Sequence, residues 1–111
     1  MKRALVIGIL AGALLARARA FFAARQVMEV DTPALVNAAV TDIHIHSVAV
    51  DMTGGVPSAT DAPPTLFVHT SPEYAMKRLL AAGVGETYQL CHVVRGFERS
   101  RMHNSEFTLR E

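Results

Sequence analysis

The sequence predicts an α+β fold with an antiparallel sheet and flanking helices. Three observations carry this. An alanine-rich helical run opens the chain, a second helix with start and stop signals lies at 70–83, and segments rich in strand formers follow each of them. The chain has 111 residues, half of them apolar, which is enough for one small packed domain and too few for two.

The elements follow in order. Residues 1–26 read as a helix. Met1-Lys2-Arg3 is a short basic start, and Ala4 to Ala16 is uncharged and mostly apolar. Two readings stay open here: a helix that packs one face on a core, or a targeting signal with small-residue cleavage sites around Arg17 and Arg19. The uncharged run of 13 residues falls short of the roughly 20 needed to cross a bilayer. Val27-Met28-Glu29-Val30 alternates and ends at Asp31-Thr32-Pro33, a short strand closed by a turn. Residues 36–42 read as irregular. Ile43-His44-Ile45-His46 alternates, slips at Ser47 and resumes at Val48 and Val50, which predicts a bulged strand. Residues 53–64, with two glycines and three prolines, predict a hairpin connection into the buried strand Leu66-Phe67-Val68.

Thr70-Ser71-Pro72-Glu73 predicts a helix start. Ser71 or Thr70 can cap, Pro72 suits the first turn, and Glu73 complements the dipole. The helix runs to about Ala82 and stops at Gly83, with Met76, Leu79 and Leu80 on its apolar face. Thr87 to Val94 reads as a strand, and Glu106 to Leu109 as a second one that pairs with it across a charged loop.

Composition excludes several function classes. A net charge of +1 rules out a polybasic nucleic-acid coat. One cysteine, Cys91, rules out an internal disulfide framework and a cysteine-only zinc site; it reads as a small core residue. With 6% aromatic residues and no Trp, a stacking groove for single strands is poorly supplied. The charge is uneven: residues 1–26 carry five bases and no acid, and residues 27–94 carry seven acids and two bases. That division points to an anion site or an interface.

Three places could carry chemistry. Arg95 at a strand end offers a planar fork for phosphate, with His103 and Asn104 as donors on the returning side and Phe107 as a flat face for a base. The ordinary alternative is a hairpin of solvated charges. Glu73 at a helix start could face a cation, where the ordinary alternative is a plain cap. Of His44, His46 and His69, the first two lie two apart on a strand, share a face and make half a metal site that no further ligand spacing completes; a solvated strand face is the simpler reading. No metal ligands are assigned.

Three blocks resemble a known family. Phe21 to Leu35, reading FFAARQVMEVDTPAL, resembles motif 1 of class II aminoacyl-tRNA synthetases of the lysyl type. Thr70 to Gly83, reading TSPEYAMKRLLAAG, resembles the substrate-binding helix start of the same group. Gln89 to Arg95, followed by His103 to Thr108, resembles motif 2. The resemblance covers roughly residues 17–111. Within the group, Val40-Thr41-Asp42-Ile43-His44 and the Ser-Pro-Glu-Tyr wording are most similar to the lysyl-tRNA synthetase paralogues that lack an anticodon domain, the elongation factor P–(R)-β-lysine ligases.

The resemblance implies part of a class II synthetase catalytic domain: a helix over 1–26, the motif 1 strand over 27–35, the substrate helix over 70–83 and the motif 2 hairpin over 87–111. It implies ATP with Mg2+, activation of lysine or β-lysine as an aminoacyl-adenylate, and transfer to a lysine of elongation factor P. It gives Ser71, Pro72 and Glu73 to the amino-acid pocket, with Glu73 facing an ammonium group. Arg95 becomes the catalytic group on the α-phosphate; Gly96, Phe97, His103, Asn104 and Phe107 join it in binding ATP, Phe107 under adenine. Pro33 falls at a homodimer interface. A cytoplasmic chain with no membrane partner is expected, and transfer RNA is not the expected acceptor. The alternatives are a fragment of lysyl-tRNA synthetase type, or a non-catalytic module that dimerises or binds nucleotide.

The chain also departs from the family pattern. Arg95-Gly96-Phe97 stands where motif 2 reads Arg-Asn-Glu, so Phe97 replaces the glutamate that would read adenine, and Glu98 comes one residue late. Ser105 stands for a proline and Arg110 for an apolar residue. Motif 3 is not found before Glu111, so a truncated copy too incomplete for normal turnover is expected.

Overall fold

The computed structural model describes residues 2–55, 65–97 and 104–111. Helix α1 spans Lys2–Ala24 and leads into β1, Met28–Glu29. Then come β2 (Leu35–Val36), β3 (Val48–Asp51) and β4 (Thr65–Val68), helix α2 (Glu73–Ala81), and β5 (Thr87–Tyr88), β6 (Leu90–Val94) and β7 (Glu106–Arg110). Among the described residues the fold is α+β, with two helices and three small sheets.

Two sheets are antiparallel. One has the order β2-β4-β3, with Val36 opposite Phe67 and Val50 opposite Leu66. The other is the β6–β7 hairpin, with Val93 opposite Phe107. The third corrects the expectation of a purely antiparallel sheet: β1 and β5 pair in parallel, Met28 with Thr87 and Glu29 with Tyr88. The segment 87–94 is therefore two strands. Its bend at Gln89 lets Thr87 and Tyr88 serve one sheet and Leu90 onward another, while the Gln89 and Glu111 backbones exchange two hydrogen bonds of 3.1 Å.

Two further strand expectations are corrected. Val36, read as irregular, forms β2 together with Leu35. Of residues 43–46, read as a strand, Ile43 and His44 form a turn and only His46 makes a β-bridge, to Gly96: the Asp42 carboxylate accepts from the His44 amide at 2.8 Å, and the Asp42 carbonyl accepts from the Ile45 amide. An aspartate that bonds the backbone two residues on outcompetes the alternation of Ile and His. His44 and His46 thus do not share a strand face. The hairpin connection falls largely on residues 56–64, which lie outside the described residues.

The core is small. Met76, Tyr88 and Val93 are its buried apolar residues, joined by the buried polar residues His69, Thr70 and Gln89 and by Pro72. All lie in 69–76 or 88–93, where the start of α2 meets β5 and β6. The accessible surface is 8606 Å², against about 6,000 Å² for a compact chain of this mass.

Helix α1 departs most from the sequence reading. Its extent matches, but no residue in it is buried, so the expectation that one face packs on a core is overturned. Only its last turns touch the body. Arg19 Nε lies 2.9 Å from a Glu29 carboxylate oxygen, and the Phe22 ring stacks on Tyr88 at 4.0 Å. At 23 residues with a mean hydropathy of 1.8 over its apolar window, it is long and apolar enough to cross a membrane, which the 13-residue uncharged run alone is not.

Candidate functional site

A cavity of about 520 Å³ opens between the β2–β4 edge, the start of α2 and the end of β6. Its wall includes Pro33, Asp42, Ser71, Glu73, Tyr74 and Arg95, from four separate stretches of chain. The local chemistry at 69–73 explains how they meet. The His69 amide donates to Ala34 O at 2.8 Å, and His69 O accepts from the Val94 amide at 3.2 Å. Its ring Nε2–H donates to His92 O at 2.7 Å; a carbonyl can only accept, which fixes the proton on that nitrogen. One buried residue thus ties the β2 edge to β6. The other ring nitrogen, Nδ1, has no hydrogen-bond partner among the described residues.

From this junction the chain turns into α2. The expected cap by Ser71 or Thr70 is corrected: Pro72 stands at the position before α2, with no side-chain cap bond, because Ser71 lies one residue too early and its Oγ accepts only from the Glu73 amide, at 3.1 Å. Pro72 is fully buried and does not line the cavity; it is packed beneath the turn that presents Ser71 and Glu73. Glu73 is exposed on the cavity wall, with Lys77 Nζ 2.7 Å from its carboxylate one turn along. That carboxylate holds the Lys77 ammonium above its usual pKa range. Tyr74 OH and Thr41 Oγ1 lie 3.2 Å apart across the mouth.

Arg95 comes from the other side. Its amide donates to Ser105 O at 2.8 Å, its Nε donates to Thr70 O at 3.1 Å, and its guanidinium carbon sits 5.1 Å from the centre of the Phe107 ring. These contacts hold the fork with its two terminal nitrogens unused among the described hydrogen bonds, which suits bidentate capture of an anion. Gly96 pairs with His46, donating to its carbonyl at 2.8 Å; a Cβ there would sit 3.4 Å from that oxygen. Phe97 is 90% exposed at φ 61°, its ring edge-on to His46. Asn104 is exposed, two residues before β7. His103 and Glu98 lie outside the described residues.

The structure therefore brings Ser71, Glu73, Arg95 and Phe107 into one neighbourhood, and adds Pro33 to the cavity wall. It leaves Gly96, Phe97 and Asn104 outside that wall, and Phe107 reaches it only through Arg95. The sequence reading gives His69, Thr70 and Asp42 other roles: His69 as a third histidine beside His44 and His46, Thr70 as a candidate cap, and Asp42 as part of the block Val40 to His44. The two backbone acceptors at 69 and 70 carry no sequence signal, and Asp42 could have been found as a turn former ahead of alternating residues.

Comparison with known proteins adds a second line. No protein-family model matches this chain. Elongation factor P–(R)-beta-lysine ligase of Vibrio parahaemolyticus is 53% identical over 98 residues, which is 88% of this chain and 29% of the relative. The Vibrio campbellii protein of that name is 52% identical over 99 residues, and the Erwinia tasmaniensis one 49% over 100, each covering 89% of this chain and 30% of the relative. Over that stretch this chain is a homologue of these ligases. It spans about 30% of the length of the curated relatives it matches. The resemblance read from the three blocks agrees with these names.

Proposed function

We propose that this chain forms the amino-acid and α-phosphate half of an ATP-dependent ligase site of class II synthetase type. That site activates lysine or β-lysine and passes it to a lysine of elongation factor P. The observation that carries the proposal is the cavity itself. It is lined both by a carboxylate, Glu73, and by a held guanidinium, Arg95, groups of the two signs that a ligand with an ammonium at one end and a reacting carboxylate at the other would meet. The names of the relatives supply elongation factor P and the lysine class.

In this reading Glu73 takes the substrate ammonium, displacing Lys77 from an exposed pair that is weak to begin with. The substrate carboxylate oxygen attacks the α-phosphorus of ATP. The bond from that phosphorus to the bridging oxygen breaks, and pyrophosphate leaves with the electron pair. Arg95 stands where negative charge grows on the α-phosphoryl oxygens, already held by Thr70 O and the Phe107 face, so little reorganisation is needed. The acceptor amine then attacks the adenylate carbonyl, loses a proton and expels AMP, leaving an amide. Phe107, half-buried beside Arg95, stacks on the adenine in this reading.

The Mg2+ implied by the resemblance finds no protein-only site: among the described residues no group of three or more His, Cys, Asp or Glu forms a metal cluster. None of the steps above uses it.

Titration of the chain with ATP and with lysine tests the reading. The expected result is binding of both ligands, with Arg95→Ala weakening ATP and Glu73→Gln weakening lysine, each by about tenfold or more. Affinities left unchanged by both substitutions would overturn it.

A further inference from the structure

The first half of α1 makes no buried contact with the body. Leu5, Val6, Ile7, Ile9, Leu10 and Leu14 are each more than half exposed. At 100° per residue they do not form a stripe: Ile7 and Ile9 lie about 160° apart, and Val6 and Ile7 about 100°. A partner helix, a groove or a second copy covers one face of a helix and would leave the other wet. A helix apolar all round calls for a medium apolar all round.

Charge narrows the choice further. Residues 1–26 carry five bases and no acid. Arg19 is taken by Glu29, and the Arg25 guanidinium lies 3.5 Å over the Phe21 ring. Lys2 and Arg3 at one end of the uncharged run Ala4 to Ala16, and Arg17 at the other, have no acidic partner among the described ion pairs. That run rises about 20 Å, and flexible basic stems at both ends reach toward the two headgroup layers.

We propose that α1 inserts its apolar half into a bilayer containing anionic lipid, with Lys2, Arg3 and Arg17 at the phosphates. The Arg19–Glu29 pair and the Phe22–Tyr88 stack then hold the body against that surface. The inference is independent of the ligase reading, and it replaces the expectation of a chain without a membrane partner.

The test is flotation of the full chain with vesicles of phosphatidylethanolamine and phosphatidylglycerol, washed in high salt. The chain is expected to float and to resist the wash. Ile7→Glu and Ile9→Glu, on opposite sides of the helix, are each expected to cut the bound fraction about tenfold. Arg17→Gln is expected to weaken binding to these vesicles but not to neutral phosphatidylcholine ones. Because residues 7 and 9 touch nothing in the body, circular dichroism should show both variants folded. Release by salt, or a variant that floats like the parent, overturns the proposal. So does a stable dimer in solution that does not float and that only one of the two variants breaks; the cover of α1 would then be a second copy.

Discussion

Arg95 Nε donates to the carbonyl oxygen of Thr70 at 3.1 Å, across 25 residues of sequence. This bond fixes where the end of β6 stands relative to the start of α2, and so sets the guanidinium beside the cavity that Glu73 also lines. A lysine cannot reproduce it, because an ammonium has no Nε to give to Thr70 while keeping a fork free for phosphate. Arg95→Lys is expected to lower ATP affinity about tenfold or more, close to Arg95→Ala, despite its retained charge. Titration of the two variants side by side checks this; near-parental affinity for Arg95→Lys would show that charge alone is read there.

His69 is the side-chain hook of the same junction. Its buried ring gives Nε2–H to His92 O at 2.7 Å. His69→Leu leaves that carbonyl unpaired and is expected to cost about 1–3 kcal/mol of stability. His69→Gln places an amide N–H at a similar reach and should recover most of the loss. Chemical denaturation of the three chains tests the claim. Equal stability of the Leu and Gln variants would reduce the contribution of His69 to packing.

Much of this junction was legible in the sequence, and part of it was not. Helix α2 was readable because its signals are local: Ser71 before the first turn, Glu73 in it, Gly83 after it. The β6–β7 pairing was readable because both strands carry strand formers around a polar loop. The parallel β1–β5 pair was not readable, since nothing in Met28-Glu29 or Thr87-Tyr88 names its partner 59 residues away. The exposure of α1 was not readable either, because apolar composition reports a need for cover and not what supplies it. In the site, Arg95 and Glu73 stood out as residue types, whereas Thr70 O and His69 O act through the backbone, which every residue has.

Cys91 gives a prediction in pH. It is half-buried, and loss of hydration pushes its thiol above the ordinary 9.0, with Asp31 and Glu111 adding to the shift and Gln89 opposing it. The folded chain therefore keeps this proton to higher pH than the unfolded chain. The stabilisation is fully present below the ordinary value and is lost as pH rises through the raised one. Between pH 8 and 11 the parent should lose more stability than Cys91→Ala. Parallel denaturation curves across that range decide it, and identical slopes would show a thiol that is hydrated as in the unfolded chain.

Gly83 ends α2 at φ 87°, with open space around the position a Cβ would take. The cost of a side chain there is conformational and not steric. Gly83→Ala is expected to destabilise by about 1–2 kcal/mol, while Gly83→Asn, whose side chain tolerates the left-handed region, should cost less. Thermal unfolding of both variants separates the two causes, since a packing clash would rank the larger asparagine as the worse.

Glu73 faces the cavity while its carboxylate holds Lys77 at 2.7 Å, so a ligand ammonium has to compete with a cation already in place. Both partners are largely exposed, and such pairs are weak. Lysine should therefore displace Lys77 readily, and Lys77→Met should change lysine affinity by less than about threefold. Glu73→Gln keeps the shape and the helix start but removes the charge, and it is expected to cut lysine affinity by about tenfold or more. Norleucine, which lacks the ε-ammonium, gives the sharper readout. The parent should prefer lysine over norleucine, and Glu73→Gln should bind the two about equally. If that preference survives the substitution, the ammonium is read by another carboxylate of the wall, and Asp42 becomes the residue to replace.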